Sequence, residues 1–338
     1  MSILKQARLT FQFHITGRCN LKCKHCYREE GNVEPLTFEN IKDIINQYEN
    51  LLETYNKEHN INKKGHINIT GGEPFIREDI LKILDFIGKK NDKFTFGILS
   101  NGSFIDDKII SSLLKNKVSF VQLSIDGNEK MHDYIRQKGD FKRVFKTAKM
   151  LGKNNIRTYI SFTANKENYK YLPYVAKKCR RYKITKLWTD RVVPIGCAND
   201  DLSITKENMV DYLNSLKRAS GNIFTQFKKT LVASDRALQF QNGKSFIYSC
   251  SAADSLITVD EFGNVMPCRR MPIVCGNVFE SSLKDVYYNN EIFIDLREKN
   301  IPKECEKCHF ASFCLGGAKC QSYAVYNDFN KKDPGCNL

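Results

Sequence analysis

From Arg8 to about Arg191, short apolar, β-branched runs alternate with longer stretches whose apolar residues recur at helical spacing. This is the pattern of repeated βα units on a parallel sheet. It predicts strands at Leu9–Thr16, His66–Thr70, Phe94–Ser100, Phe120–Asp126, Ile156–Ala164 and Ile184–Arg191, each followed by a helix. In the first helix Ile41, Ile44, Ile45, Tyr48, Leu51 and Leu52 form one apolar stripe, with Thr37 as its N-cap. Ile80, Leu81, Leu84 and Ile87 mark a second helix; Ile109, Ile110, Leu113 and Leu114 a third; Phe141, Val144, Phe145, Ala148 and Leu151 a fourth. Six βα units fit either a doubly wound sheet or an incomplete (β/α) barrel, and periodicity does not separate them. A dinucleotide-binding sheet would carry Gly-x-Gly-x-x-Gly after its first strand. Gly17-Arg18-Cys19 stands there instead, which weakens that reading.

Beyond Arg191 the alternation stops. From about Ser203 to Gln241 the pattern is helical, with Met209, Val210, Leu213 and Leu216 on one face. After Phe246 the chain is rich in Gly, Pro and Cys, and eight of the thirteen cysteines lie there. The expected organisation is an α/β domain over residues 1–200, a helical bridge over 201–247 and a cysteine-rich domain over 248–338.

With 338 residues, 41% of them hydrophobic, the chain can bury cores in about two domains at roughly 150 residues each. Met1 to Asn20 has no apolar core or cleavage site of a signal peptide, and no apolar run is long enough to span a bilayer. A reducing cytoplasm is the expected compartment, where closely spaced cysteines bind metal more often than they pair. The formal charge of +15 is spread along the chain without an RNA-binding motif. That argues against nucleic acid, and a diffuse positive field suits an acidic polypeptide.

Cys19, Cys23 and Cys26 form C-x3-C-x2-C at the C-terminal end of the first strand, where α/β folds place their chemistry. Three thiolates leave a four-coordinate structural zinc incomplete, whereas on a 4Fe-4S cluster they leave one iron open. The stretch Cys19-Asn20-Leu21-Lys22-Cys23-Lys24-His25-Cys26-Tyr27 resembles the radical S-adenosylmethionine (SAM) superfamily. The resemblance implies a partial (β/α)6 TIM-like barrel. It implies too that the open iron chelates SAM and that one electron cleaves the sulfonium to a 5'-deoxyadenosyl radical. Gly71-Gly72-Glu73 resembles the family's motif at the SAM amino group: glycines let backbone approach a ligand, and a carboxylate suits an ammonium. By the same comparison Ser124 meets the ribose, Arg136 lies near the SAM carboxylate, and His25 stands where an aromatic residue flanks the adenine.

Cys250 and Cys268 frame C-x12-G-x4-C; Cys305, Cys308 and Cys314 continue as C-x2-C-x5-C, followed by Leu315-Gly316-Gly317-Ala318-Lys319-Cys320 and Asp333-Pro334-Gly335-Cys336. Local spacing alone fits structural zinc equally well. The order of the pieces resembles the SPASM extension of radical SAM enzymes, which holds two auxiliary iron-sulfur clusters. The comparison implies an outer cluster on Cys305, Cys308, Cys314 and Cys336, and an inner one on Cys250, Cys268 and Cys320. Ala318 stands where many members have a cysteine, so the fourth inner place falls to Cys275 or stays open. Cys179 and Cys197 fall outside every motif.

The resemblance implies an enzyme that matures a ribosomally made peptide by cross-linking, epimerisation or oxidation. Sulfatase maturases carry Asp after the cysteine matching Cys268; Arg269 stands here, which disfavours formylglycine formation. About eight residues precede the first strand, so the expectation is that a separate protein presents the leader, or that the barrel mouth and bridge grip the peptide. An external electron donor is implied. The alternatives are a tetrapyrrole-modifying relative and, from another class, a zinc-stabilised regulatory or nucleic-acid-binding protein.

Overall fold

The computed structural model describes residues 8–28, 34–221, 230–243 and 247–338. Six strands, β1 (Thr10–His14), β2 (Gly65–Thr70), β3 (Phe94–Leu99), β4 (Phe120–Ser124), β5 (Thr158–Ala164) and β6 (Lys186–Arg191), pair side by side in chain order and all in parallel. A doubly wound sheet reverses its strand order at a switch point. This one does not, so right-handed crossovers all land on the same face, and the sheet winds as in a (β/α) barrel.

The crossovers contain α1 (Phe38–Glu58), α2 (Ile80–Gly88), α3 (Asp107–Lys115), α4 (Glu129–Ile135), α5 (Asp140–Lys153) and α6 (Leu172–Arg181). Thr37 caps α1 as expected: its hydroxyl accepts from Asn40 N at 3.2 Å, and the Asn40 side chain accepts from Thr37 N at 2.9 Å. Such a cap is worth about 1 kcal/mol. The expected stripe of α1 is buried, and its Tyr48 ring stacks on Phe11 of β1 with centroids 4.9 Å apart. In α3 the core takes Ile109, Ile110 and Leu113, but Leu114 is exposed.

Alternation along the strands creates the site. Phe11 and Phe13, Ile67 and Ile69, Val121 and Leu123, and Ile160 and Phe162 are buried in the apolar core. Their neighbours Gln12, Asn68, Gln122, Ser124, Ser161, Thr163 and Asp190 line a cavity of about 1440 Å³ on the other face. A period of two thus divides one sheet into an apolar side and a polar, concave side.

The helical pattern expected from Ser203 to Gln241 holds for α7 (Lys206–Ser220); residues 222–229 lie outside the described ones. Its buried face runs Met209, Tyr212, Leu213, Leu216 and Ala219, so Val210, 55% exposed, is not part of it. Beyond comes a strand, β7 (Leu231–Ala233), parallel to β6. It covers hydrogen-bonding groups that β6 would otherwise expose at the sheet edge. At the opposite edge β8 (Leu256–Val259) pairs in parallel with β1, and β9 (Asn264–Met266) and β10 (Gly276–Asn277) follow antiparallel. The cysteine-rich segment therefore begins as an extension of the barrel sheet. No helix among the described residues is long and apolar enough to cross a membrane.

Candidate active site

The loop after β1 carries Cys19, Cys23 and Cys26, all free thiols lining the cavity. Its path is set by backbone bonds: Lys24 N donates to Ile135 O at the end of α4 (3.0 Å), and Cys197 N donates to Cys26 O (2.8 Å). Burial pushes the Cys23 thiol up to about 11, against the pull of Arg136, whose Nη1 stands 3.8 Å from its sulfur. Burial also raises Cys19.

Gly71 and Gly72 line the cavity, but their closest approach is to the cysteine loop. A Cβ on Gly71, whose φ is +141°, would lie 2.3 Å from Thr16 O; one on Gly72 would lie 2.1 Å from Arg18 O. Gly72 N and Glu73 N donate to Thr16 O and Arg18 O at 2.9 and 2.8 Å. The glycines thus seat the root of the loop. Glu73 itself is not among the cavity-lining residues. Its carboxylate is fully buried and turned away from the cavity, accepting from Asn101 N (2.7 Å), Ser100 Oγ (2.8 Å) and Phe75 N (3.2 Å). Burial, outweighing those donors, raises its pKa to about 7.

Ser124 and His25 both line the cavity. Arg136 also lines it, but its guanidinium is committed to an ion pair: Nε donates to Asp126 Oδ2 at 2.6 Å. Asp126 is buried, with Oδ1 accepting from Thr163 N at 2.9 Å and Oδ2 standing 3.1 Å from His25 Nε2. Despite burial, Arg136 and His25 hold its carboxyl far below the usual range. His132 Nδ1 accepts from Asp126 N at 3.1 Å, so Nε2 carries the proton that faces Asp140 Oδ2 at 3.0 Å. This network ties β4, α4 and α5 to the cysteine loop. Asp126, directly before Gly127 at a strand end, was the available signal for it.

Three of the C-terminal cysteines, Cys250, Cys268 and Cys320, line the same cavity as the first set. Burial raises Cys250 and Cys320, with neighbouring thiols adding to it. Cys275 is not brought to them. It lies outside the cavity lining, its thiol faces Ile273 O at 3.4 Å, and its raised pKa, about 12, comes from burial with no thiol neighbour contributing. Its N–H bonds to Val265 O, which holds it beside β9, away from the cavity. Cys305, Cys308, Cys314 and Cys336 instead surround a separate small void of about 20 Å³, with Phe240 and Phe310 among its walls.

One ion pair ties the barrel to this end of the chain. Arg191, the last residue of β6, donates from Nη1 and Nη2 to Asp333 Oδ1 and Oδ2 at 2.8 and 2.5 Å. Asp333 also accepts from Ala318 N and Gly335 N at 3.0 and 2.9 Å. Sequence alone reads Arg191 as an ordinary barrel residue, because its partner lies 142 positions away.

Both C-terminal groups and the first loop offer thiols, the donors iron-sulfur clusters take. Among the described residues no three His, Cys, Asp or Glu side chains close on one point as a single ion requires. Parallel barrel, strand-end C-x3-C-x2-C and thiol-lined cavity fit a cluster-bearing enzyme of the radical SAM class. Residues 13–179 match the radical SAM superfamily and residues 250–309 the SPASM iron-sulfur cluster-binding domain, and the chain belongs to that family. Its cofactors are accordingly SAM, the SAM-binding 4Fe-4S cluster and iron-sulfur in the SPASM domain. It is similar to the mycofactocin maturase MftC of Mycolicibacterium smegmatis, 26% identical over 98% of this chain and 83% of that protein. It is also similar to an AdoMet-dependent heme synthase of Methanosarcina barkeri, 22% identical over 99% of this chain and 98% of that one. The crystal structure of Streptococcus suis SuiB bound to SAM shares the fold, with TM-score 0.75, 19% identity and coverage of 98% and 77%.

Proposed function

We propose that the chain modifies a ribosomally made peptide by cross-linking, epimerisation or oxidation, with Cys19, Cys23 and Cys26 holding the SAM-binding cluster. Cys250, Cys268 and Cys320 hold an inner auxiliary cluster, and Cys305, Cys308, Cys314 and Cys336 an outer one. Residues 1–200 form the radical SAM domain, 201–247 a bridge and 248–338 the SPASM domain. When bound, SAM and the first cluster supply a 5'-deoxyadenosyl radical.

The observation that carries this reading is the shared cavity. Its roughly 1440 Å³ exceeds the ~300–1,000 Å³ typical of a single-ligand pocket, and thiols from both ends of the chain line it. It has room for SAM and a segment of a second substrate. The protein's own part is to hold the target C–H and keep water out. Arg136, with Asp126 behind it, places positive charge beside the Cys23 sulfur, and Ser124 and His25 face the cofactor space. Ten Arg and Lys side chains line the cavity; six are ion-paired, Arg28 with Glu261, Arg136 with Asp126, Lys186 with Asp235, Arg191 with Asp333, and Arg236 and Arg270 with Asp190, and the positive surplus that remains favours an acidic peptide. MftC is a maturase by name, and SuiB has been crystallised with the precursor peptide SuiA. The setting we assign is cytoplasmic, with an external electron donor and a separate leader-binding protein.

The same cations suit the carboxylates of a tetrapyrrole, and the heme synthase likeness favours that second reading. The test is anaerobic incubation of the iron-reconstituted chain with SAM, dithionite and either a short peptide encoded beside its gene or an iron coproporphyrin. Peptide-dependent 5'-deoxyadenosine with a peptide mass change, or one deuterium taken from solvent, supports maturation. Turnover with the porphyrin alone overturns it, and zinc in place of iron with no SAM cleavage overturns the class. Replacing Cys19, Cys23 and Cys26 by Ala abolishes SAM cleavage and leaves auxiliary iron; unchanged cleavage contradicts the ligand assignment.

A further inference from the structure

Lys319 sits in the short segment between the two C-terminal thiol groups. Cys314 and Gly316, before it, line the small outer void; Ala318 and Cys320, on either side of it, line the large cavity. It opens the helix Lys319–Tyr326 and is only 5% exposed, and its Nζ has no hydrogen-bond partner. Its own backbone N–H is turned to the Cys250 sulfur.

The ionisable groups acting on the ammonium are Cys250 on the inner side, Cys305 on the outer side, and Asp295 and Asp328. Neither carboxylate pairs with it. Asp295 accepts from Asn300 and Asn330 side chains at 3.2 and 3.0 Å, and Asp328 from Asn330 N at 2.7 Å. A lysine buried without an anion is strongly unfavourable, and natural chains bury charges against a partner. Thiolate-held iron-sulfur clusters are such a partner, and their potentials respond to nearby charge.

We propose that Lys319 is a counter-charge shared by the two C-terminal cysteine sets, stabilising the reduced state of the clusters they hold. This rests on the ligand assignments above. One-electron reduction by an external donor adds one negative charge to a cluster and makes or breaks no bond. A fixed cation in a dry interior favours that product more than the oxidised form. Lys319 thus acts through the potentials of the auxiliary clusters and is absent from the cavity lining.

The test is a redox titration of the anaerobically reconstituted full chain, followed by electron paramagnetic resonance, with iron counted per chain. In Lys319→Met the equilibrium constant for reducing the auxiliary clusters falls at least tenfold, equivalent to about 59 mV for one electron. The SAM-dependent signal of the first cluster keeps its potential, and Lys319→Arg restores the wild-type values. Full auxiliary iron with an unchanged potential in Lys319→Met overturns the proposal and leaves the ligand assignment standing. No auxiliary iron in the wild-type chain overturns both. Should Lys319→Met bind no auxiliary iron, Lys319→Arg decides: a wild-type potential supports the charge role, and a lowered one overturns it.

Discussion

Asp333→Ala tests the joint between barrel and C-terminal domain. The Arg191 and Asp333 side chains are 2% and 0% exposed. Removing the carboxylate strands a buried guanidinium that has two charge-assisted bonds, and also frees Ala318 N and Gly335 N. Breaking a buried pair on one side costs about 3–5 kcal/mol. Trp188 is the chain's single Trp and lies on β6, three residues before Arg191, so its fluorescence reports on this joint. With a urea m-value near 3 kcal/mol/M, the unfolding midpoint falls by about 1–1.7 M. Arg191→Met leaves Asp333 its two backbone donors and costs less. A shift under about 0.3 M for Asp333→Ala, or equal shifts for the two variants, would refute the reasoning.

Three further outcomes follow from the same geometry. Gly72→Ala pushes a Cβ against Arg18 O, costs about 1–3 kcal/mol as overpacking, and displaces the first cysteine loop; SAM cleavage falls while auxiliary iron is retained, as iron counting will check. Because the folded-state pKa of Glu73 is raised to about 7, stability from its neutral form is present below the unfolded value of 4.5 and is lost as pH rises through about 7. Glu73→Gln flattens that slope in unfolding measured from pH 4.5 to 8, and an unaltered slope contradicts the burial argument. Cys275→Ala leaves auxiliary iron unchanged, whereas Cys320→Ala lowers it; iron loss in the former would return Cys275 to the ligand set.

The six barrel strands were legible because each is a short apolar run between helices whose stripes repeat at helical spacing. Five of the six expected ranges overran by one to three residues, and His66–Thr70 fell one short, at Gly65; Leu9–Thr16 narrows to Thr10–His14, although Ile15 N still donates to Thr70 O at 3.0 Å. The strands β7 to β10 were not legible, being two to four residues long and stabilised by distant partners such as Thr10 opposite Leu256. In sequence Gly71 and Gly72 mark a place of close backbone approach, but what they approach is the Thr16–Arg18 backbone, which no local pattern specifies.

By itself the sequence determined the βα alternation, the polar and apolar faces of each strand, and the grouping of cysteines by spacing. These depend on residues within a few positions of one another. The tertiary structure alone decided which groups meet: Cys250, Cys268 and Cys320 with the first loop in one cavity, Cys275 outside it, Glu73 turned into the protein, and Lys319 between two thiol sets. Glu73 is held by Ser100 and Asn101 beyond β3; the meeting of the thiol groups depends on how β8 docks on β1 and Asp333 on Arg191. The docking contacts join residues more than a hundred positions apart, and their geometry follows from packing the whole sheet.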